Sequence, residues 1–201
     1  MVGNYLTSCL TQCLHIQRDN GAQSLITAGT DGHVAFFSLE ADSTFATPEP
    51  SALRWSSRSI IHQNTIHSMR LHWFDNRTCL LLTGGDDNAV AFSICAWHPA
   101  QCTPQVSTVI IPRAHAAAVT GVEILASSTA NLLTVATTSI DQRLKLWEVQ
   151  YDSSLPGLDG LSIKRRGNYS TAVADVSDLA ALDSSSLIVC GVGMDVWSYS
   201  G

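Results

Sequence analysis

The chain repeats one local pattern four times, and this repeat limits the folds that it can adopt. Each copy has an apolar segment, a tight turn and a second segment in which apolar and polar residues alternate. The first apolar residues after the turns are Val34, Val90, Leu144 and Met194, at spacings of 56, 54 and 50 residues. Alternation with a period of two indicates β-strands. Because a compact four-stranded repeat needs only roughly 40–45 residues, the connecting loops are expected to be long.

The turns and the flanking segments complete each unit. Asp31-Gly32 is a strong two-residue hairpin signal, Asp87-Asn88 resembles it, and Asp141-Gln142 is weaker. Further apolar strands precede the hairpins at about 6–16, 66–74, 119–125 and 173–182, and others follow the first three at about 53–61, 105–112 and 161–165. Four strands in this order form the chain path of a propeller blade. The sequence therefore predicts an all-β propeller with about four consecutive blade units.

The predicted units span about residues 1–61, 62–113, 114–167 and 168–201, with flexible loops at about 41–52 and 151–160. The fourth unit has no strand after its hairpin. We therefore expect an incomplete ring, as in a fragment of a larger protein. An unpaired hydrophobic edge at residues 194–199 is expected to favour association.

Composition favours a soluble protein of a reducing compartment. The chain is 45% hydrophobic but only 14% charged, which is typical of strands that are buried on both faces. Its six cysteines form no C-x-x-C pair, and the first residues have no basic region followed by an apolar run. A membrane span would need about 18 uninterrupted apolar residues, and the sequence has no such run. We therefore expect a cytoplasmic protein without a membrane span.

The charge balance argues against direct binding of nucleic acid. The chain has 11 Lys and Arg residues against 17 Asp and Glu, and its net charge is −6, whereas a surface that binds phosphates needs clustered basic residues. The only dense basic run is Lys164-Arg165-Arg166, which is expected to be a solvated loop or, as the alternative, a contact with tRNA or an acidic partner. Trp97, expected in a loop after the second hairpin, is a second candidate for partner contact.

Histidine and aspartate residues recur at one spacing. His115 and Asp141 of the third unit are 26 residues apart, and His62 and Asp87 of the second unit are 25 residues apart. Trp147 follows Asp141 by six residues. In these residues the chain resembles WD40 repeats, in which such a His and Asp form a buried hydrogen-bond network with a Trp and a hydroxyl of the second strand.

The resemblance implies a hydroxyl donor for the third unit, either Thr137 or Ser139, because both lie on the same side of their strand. The second unit has Ser93 in place of the tryptophan. The first unit has Asp31 but no matching histidine, and the fourth has Trp197 but no turn aspartate. The His, Asp and Trp of the pattern are therefore all present only in the third unit.

The same residue types also occur in catalytic and metal sites. A hydrolytic triad would need an exposed nucleophile, an oxyanion hole and a pocket, and the sequence has no G-x-S-x-G elbow. His62, His67 and His72 recur every five residues, so on a strand they face alternate sides and cannot easily converge on one ion. We therefore expect a structural network, with no catalytic, cofactor-binding or metal-binding residue.

Longer strings resemble one family. Five segments, at 62–66, 84–93, 114–125, 139–148 and 173–179, resemble in order the C-terminal region of the WD repeat-containing protein 6 family. The resemblance covers residues 60–199 well and the first 60 only in general shape. Members of this family are large proteins with several propellers, so the resemblance implies that this chain is a fragment of such a protein. The resemblance also implies a non-catalytic accessory subunit that binds an FtsJ-like methyltransferase, which 2′-O-methylates the wobble nucleotide of tRNA, so that contact with tRNA is indirect. The alternative is a general WD40 interaction scaffold, for example in endosomal recycling, vesicle traffic or ubiquitin ligation.

Overall fold

The computed structural model describes residues 8–18, 21–39, 54–98, 103–129, 131–183 and 185–199. Within these residues the chain forms fourteen β-strands and one short 3₁₀ helix, Gly157–Gly160. The first sheet contains β1 (Leu10–Gln17), β2 (Gln23–Gly29), β3 (His33–Leu39) and β4 (Arg54–Ile60). The second contains β5 (Ile66–Trp73), β6 (Thr78–Gly85), β7 (Val90–Trp97) and β8 (Pro104–Ile111). The third contains β9 (Val119–Thr129), β10 (Leu132–Ser139), β11 (Arg143–Tyr151) and β12 (Leu161–Ser170), and the fourth β13 (Ala174–Ala181) and β14 (Ser186–Ser198).

Each four-stranded sheet is an antiparallel meander whose spatial order equals its order along the chain. The tight turns join the second and third strands of each sheet, as the sequence predicts. One residue in each of the first three turns has a positive φ: Gly32 at 74°, Asn88 at 64° and Gln142 at 58°. Asparagine and glycine accept this conformation most readily, which explains why Asp-Gly and Asp-Asn signal these hairpins.

The extended run β14 folds back on itself. Thirteen extended residues would span about 40 Å, yet the Tyr199 N–H donates to the Ser185 carbonyl oxygen at 2.8 Å. The two ends of the run are therefore adjacent, and Gly193, with a φ of 103°, lies near its middle. This reversal gives the fourth unit the hairpin that the sequence predicts.

Apolar cores lie between successive sheets. The first core joins Ile26 and Phe36 of the first sheet to Met69 and Leu81 of the second. A second core joins the second and third sheets, and a third joins the third sheet to the fourth. The second and third sheets are therefore buried on both faces by their neighbours, as the low content of charged residues predicts.

The predicted all-β fold is confirmed, with strands grouped in four successive sheets. The predicted loop at 41–52 lies outside the described residues. In the predicted loop at 151–160, Tyr151 is the last residue of β11 and residues 157–160 form the 3₁₀ helix.

Candidate functional site

The third sheet brings together four of the predicted residues. His115 lies in the segment between β8 and β9, Thr137 in β10, Asp141 in the turn after β10, and Trp147 in β11. His115 Nδ1 lies 3.2 Å from both Asp141 carboxylate oxygens, and its Nε2 lies 2.9 Å from Thr137 Oγ1. The Trp147 Nε1–H donates to the same Thr137 oxygen at 3.0 Å. The four side chains therefore form one continuous hydrogen-bonded chain.

The direction of these hydrogen bonds follows from the donors available. The indole can only donate, so Thr137 Oγ1 accepts from Trp147 and is free to donate its own proton to His115 Nε2. The opposite ring nitrogen then carries the hydrogen and donates to Asp141. With a neutral imidazole, this assignment gives each ring nitrogen, the Thr137 hydroxyl and the indole N–H a hydrogen-bond partner.

Asp141 also binds the backbone on both sides of the network. Its carboxylate accepts from the Ala116 N–H at 2.8 Å and from the Arg143 N–H at 3.0 Å. Burial alone would raise the pKa of this carboxyl, but these N–H groups and the His115 ring together hold the pKa below its usual value. For His115, burial is the largest influence and lowers the pKa, although Asp141 opposes it. The aspartate is thus kept charged and the histidine neutral.

The second sheet repeats this arrangement without the tryptophan. His62 Nδ1 lies 2.8 Å from Asp87 Oδ1, and its Nε2 lies 2.9 Å from Thr83 Oγ1. Ser93, at the position of the indole, instead shares a hydrogen bond of 2.8 Å with Thr108 of the neighbouring strand β8. The serine therefore turns to the outer strand of its own blade.

The first and fourth sheets depart further. Thr27 is in register with Thr83 and Thr137, but its buried hydroxyl has no hydrogen-bond partner among the described residues. Asp31 accepts from the His33 N–H and pairs with Arg58. In the fourth sheet the histidine and turn aspartate are replaced by a contact of 3.1 Å between Thr171 Oγ1 and Asp195 in β14.

The two predicted alternatives for the hydroxyl take different positions. Thr137 contacts His115, as described above. Ser139 Oγ instead donates to the Ala117 carbonyl oxygen and accepts from the Asp141 N–H, each at 3.1 Å. Ser139 therefore shapes the turn that carries Asp141 and does not touch the imidazole.

The expectation that Trp97 is an exposed loop residue is wrong. Trp97 is the last residue of β7, and only 3% of it is exposed. The centroid of its ring lies 5.2 Å from that of Trp73 and 6.3 Å from that of Phe36 in the first sheet. The Arg18 guanidinium carbon lies over the ring, 5.8 Å from its centroid. The indole is core between the first two blades, so it is unavailable to a partner in this structure.

The basic triplet is a strand and not a loop. Lys164, Arg165 and Arg166 all lie in β12, the outermost strand of the third sheet, and all three are exposed. Arg166 Nε donates to Glu148 on β11 at 3.0 Å. Among the described residues, no hydrogen bond or ion pair joins the triplet to the His115 network, so the two are separate features of the third blade.

The geometry leaves the network little chemical freedom. The His62 and His115 side chains have no exposed surface, and Thr83 and Thr137 are completely buried. A nucleophile needs a path to its substrate, and these hydroxyls have none.

Within the described ranges, no three His, Cys, Asp or Glu side chains converge as metal ligands would, and no helix is long and apolar enough to cross a bilayer.

Sequence reasoning missed a polar cleft beside the network. It is lined by Asn88 and Arg113 from the second unit, and by Arg143, Lys145 and Asn168 from the third. These residues are up to 80 positions apart, so no local pattern collects them. The one available signal was Lys145, which is in register with Ala35 and Ala91 of the first two units.

Comparisons with known proteins support the architecture. A scan against models of protein families gives no match, and a search of curated proteins gives none. Among solved structures, the Cps50 (Swd1) β-propeller domain of Myceliophteria thermophila aligns with a TM-score of 0.60 and 14% identity over 96% of this chain. The fold is a β-propeller. Raptor of Chaetomium thermophilum aligns with a TM-score of 0.56 and 16% identity over 98% of this chain.

The chain is shorter than both of these structures. It spans 54% of the Swd1 propeller chain and 16% of the Raptor chain. At this identity the likeness concerns the fold alone, and the predicted β-propeller class is thereby confirmed. The role of the chain has to be argued from its own residues.

Proposed function

We propose that this chain is part of a non-catalytic WD40 propeller that acts as a scaffold for protein interaction. The observation that carries the proposal is that both His–Asp pairs use their polar atoms within the blade. His62 and His115 each bind an aspartate through one nitrogen and a threonine through the other. Such a network fixes a turn to a strand, and it supports a rigid surface better than it supports chemistry.

The more specific proposal is that the scaffold is an accessory subunit of tRNA methylation. Its support is the resemblance of five ordered strings to the WD repeat-containing protein 6 family, and two of these strings, at 84–93 and 139–148, include the turns after β6 and β10. In this proposal the partner is an FtsJ-like methyltransferase that supplies the catalytic residues and the cofactor site. Contact with tRNA is indirect, in keeping with the net charge of −6.

The test is mass spectrometry of tRNA from cells that lack the gene for this chain. We expect loss of 2′-O-methylation at the wobble nucleotide, while 2′-O-methylation elsewhere in the same tRNAs serves as the internal control and is unchanged. Re-expression of the gene should restore the mark, and the tagged product should co-purify with the methyltransferase. A wobble mark that persists in the deleted cells contradicts the methylation proposal and leaves the general scaffold, whose partner must then be found by co-purification.

A further inference from the structure

The polar cleft lies at the junction of the second and third sheets, at the end where the tight turns are found. It has a volume of about 760 Å³ and is open to solvent. Asn88 comes from the turn after β6, Arg113 from the segment after β8, and Arg143 and Lys145 from β11. Two neighbouring blades therefore each contribute a wall, which is a common setting for a binding site.

Positive charge dominates the cleft. It contains Arg113, Arg143 and Lys145 against one carboxylate, Asp141, and that carboxylate is already held by His115 and two backbone N–H groups. Among the described residues, no carboxylate lies within ion-pairing distance of the Arg113 or Arg143 guanidinium. In a chain of net charge −6, three basic residues that share one concave surface with a single carboxylate form a local exception.

Lys145 is the least expected of the three. Only 8% of the residue is exposed, and its Nζ donates to the Ala114 carbonyl oxygen at 2.5 Å. An ammonium has three donor hydrogens, and a buried cation is costly unless it is paired. Burial, the largest influence, lowers the pKa of Lys145, while Asp141 opposes it. The charge is therefore only partly compensated by the protein itself.

The blade architecture does not require this lysine. Ala35 and Ala91 occupy the same register in β3 and β7, and both are completely buried. Arg143 likewise corresponds to Ala89 in the second unit, and Arg113 corresponds to Ile60, since each lies two residues before the segment's histidine. The second unit thus has apolar residues at all three positions, whereas the first has His33 at the Arg143 position and the fourth has Asp195 at the Lys145 position.

We propose that this cleft binds a short acidic peptide segment of a protein partner, through its carboxylate or phosphate groups. Arginine forks pair with two oxygens of such groups at once, and the Asn88 and Asn168 amides offer further donors. A peptide is favoured over RNA because a long polyanion needs an extended basic track, whereas the cleft holds three cations in a chain of net charge −6. The cleft adjoins the His115 network, since Asp141 lines it, and the inference does not depend on tRNA methylation.

The experiment measures binding of three fluorescein-labelled peptides to the purified 201-residue chain by fluorescence anisotropy. All three have one length, and the central residue is phosphoserine in an Asp/Glu-rich context, serine in the same context, or serine in a context of Asn and Gln. We expect the two acidic peptides to bind and the neutral peptide not to bind. A higher affinity of the phosphoserine peptide would identify phosphate as the preferred group, and equal affinities of the two acidic peptides would identify carboxylate. Either outcome supports the proposal that the cleft binds an acidic peptide.

Variants locate the binding. The double variant Arg113→Gln/Arg143→Gln and the single variant Lys145→Ala should each weaken binding of the acidic peptides by about tenfold or more, since charge-assisted hydrogen bonds are lost. Lys145→Ala installs the residue of the first two blades, so the chain should still fold, as checked by circular dichroism. Arg77→Gln is the matched control, because Arg77 is exposed in the turn between β5 and β6, at the opposite end of the second sheet. This variant should bind the acidic peptides with the affinity of the wild-type chain.

Three results overturn the proposal. The first is no binding of either acidic peptide at low salt. The second is equal affinity in the wild-type chain and in both cleft variants. The third is tight binding of a single-stranded oligouridine that the double variant loses while the peptides do not bind, which would assign the cleft to RNA. None of these results bears on wobble methylation in cells, so failure of this inference and failure of the proposed function can be distinguished.

Discussion

In each of the first three sheets, one threonine of the second strand shows how complete the hydrogen-bond network of that blade is. Thr137 serves two partners, His115 and Trp147, whereas Thr83 serves His62 alone. Thr27 has the same register and is 1% exposed, but its hydroxyl has no partner among the described residues. The three positions therefore form a graded series within one chain, in which the backbone setting is similar and the hydrogen bonding is not.

Replacement of each threonine by valine should separate these roles. Removing a hydroxyl leaves its buried partners without a hydrogen bond, at a cost of about 1–3 kcal/mol for each orphaned group. We expect Thr137→Val to lower the free energy of unfolding by about 2–4 kcal/mol and Thr83→Val by about 1–2 kcal/mol, with Thr27→Val within about 0.5 kcal/mol of wild type. Urea unfolding followed by tryptophan fluorescence gives the three values. A loss for Thr27→Val that equals that of Thr137→Val would contradict the assigned network.

The His115–Asp141 pair should also make stability depend on pH. Burial lowers the pKa of His115, so the unfolded chain, where the pKa is near the usual 6.5, binds more protons than the folded chain below that pH. The lowered pKa of Asp141 acts in the same direction below its usual 3.8. We therefore expect stability to fall as the pH is lowered from neutral to mildly acidic, and again at strongly acidic pH.

Thermal unfolding midpoints measured across this range test the expectation. His115→Gln should flatten the first decrease, whatever its effect on the midpoint at neutral pH, because the glutamine does not titrate. His98→Gln is the matched control, since His98 is exposed, and its profile should follow that of wild type. An unchanged slope in His115→Gln would show that the pair does not carry the pH dependence.

At the scale of strands and turns, local signals in the sequence located most elements. The hairpins follow from Asp-Gly and Asp-Asn, and the strands from alternation, because both depend on residues that are neighbours in the chain. Trp97 was misplaced for a different reason. The following His98-Pro99 suggested a loop, but the burial of the indole depends on Phe36 and Arg18 of the preceding blade. Packing between blades and the clustering of basic residues in the cleft both depend on residues that are distant in the sequence, so a local sequence pattern cannot predict them.

The turn between β2 and β3 shows how closely one element meets the next. A Cβ added at Gly32 would overlap the carbonyl oxygen of His62, the residue that opens the network of the second blade. The Gly32 carbonyl also accepts hydrogen bonds from the Ile61 and His62 N–H groups, at 2.9 and 3.0 Å. The first hairpin is therefore tied directly to the entry of the second blade.

Two glycine substitutions should reveal this contact. Gly21 and Gly32 both have a positive φ, of 80° and 74°, so alanine is strained at either position, by about 1 kcal/mol. A Cβ at Gly21 meets nothing within 4 Å. We expect Gly32→Ala to destabilise the chain by at least about 2 kcal/mol more than Gly21→Ala, as overpacking against backbone does. If urea unfolding gives the same decrease in the free energy of unfolding for both variants, the backbone around His62 can move to accommodate the added Cβ without destabilising the chain.

At the scale of the whole molecule, the sheets stack in series and each packs on its sequence neighbours. Three separate apolar cores, one at each junction, hold the four sheets together. In such an arrangement stability is the sum of the blades and of the contacts between adjacent blades. A sheet at the end of the series has one face without a described neighbour, and on β14 that face carries Val192, Met194 and Val196, exposed by 68, 71 and 58%.

The exposed face of β14 should drive self-association of the 201-residue chain. Contiguous apolar side chains on a strand favour pairing with another molecule, so sedimentation velocity should show species larger than the monomer that grow with protein concentration. Met194→Lys/Val196→Lys should shift the chain towards the monomer. The matched control is Ile140→Lys/Leu155→Lys, which adds the same charge at two exposed apolar residues, 47 and 45% accessible, away from this face. If both double variants reduce association equally, net charge and not the β14 surface controls it.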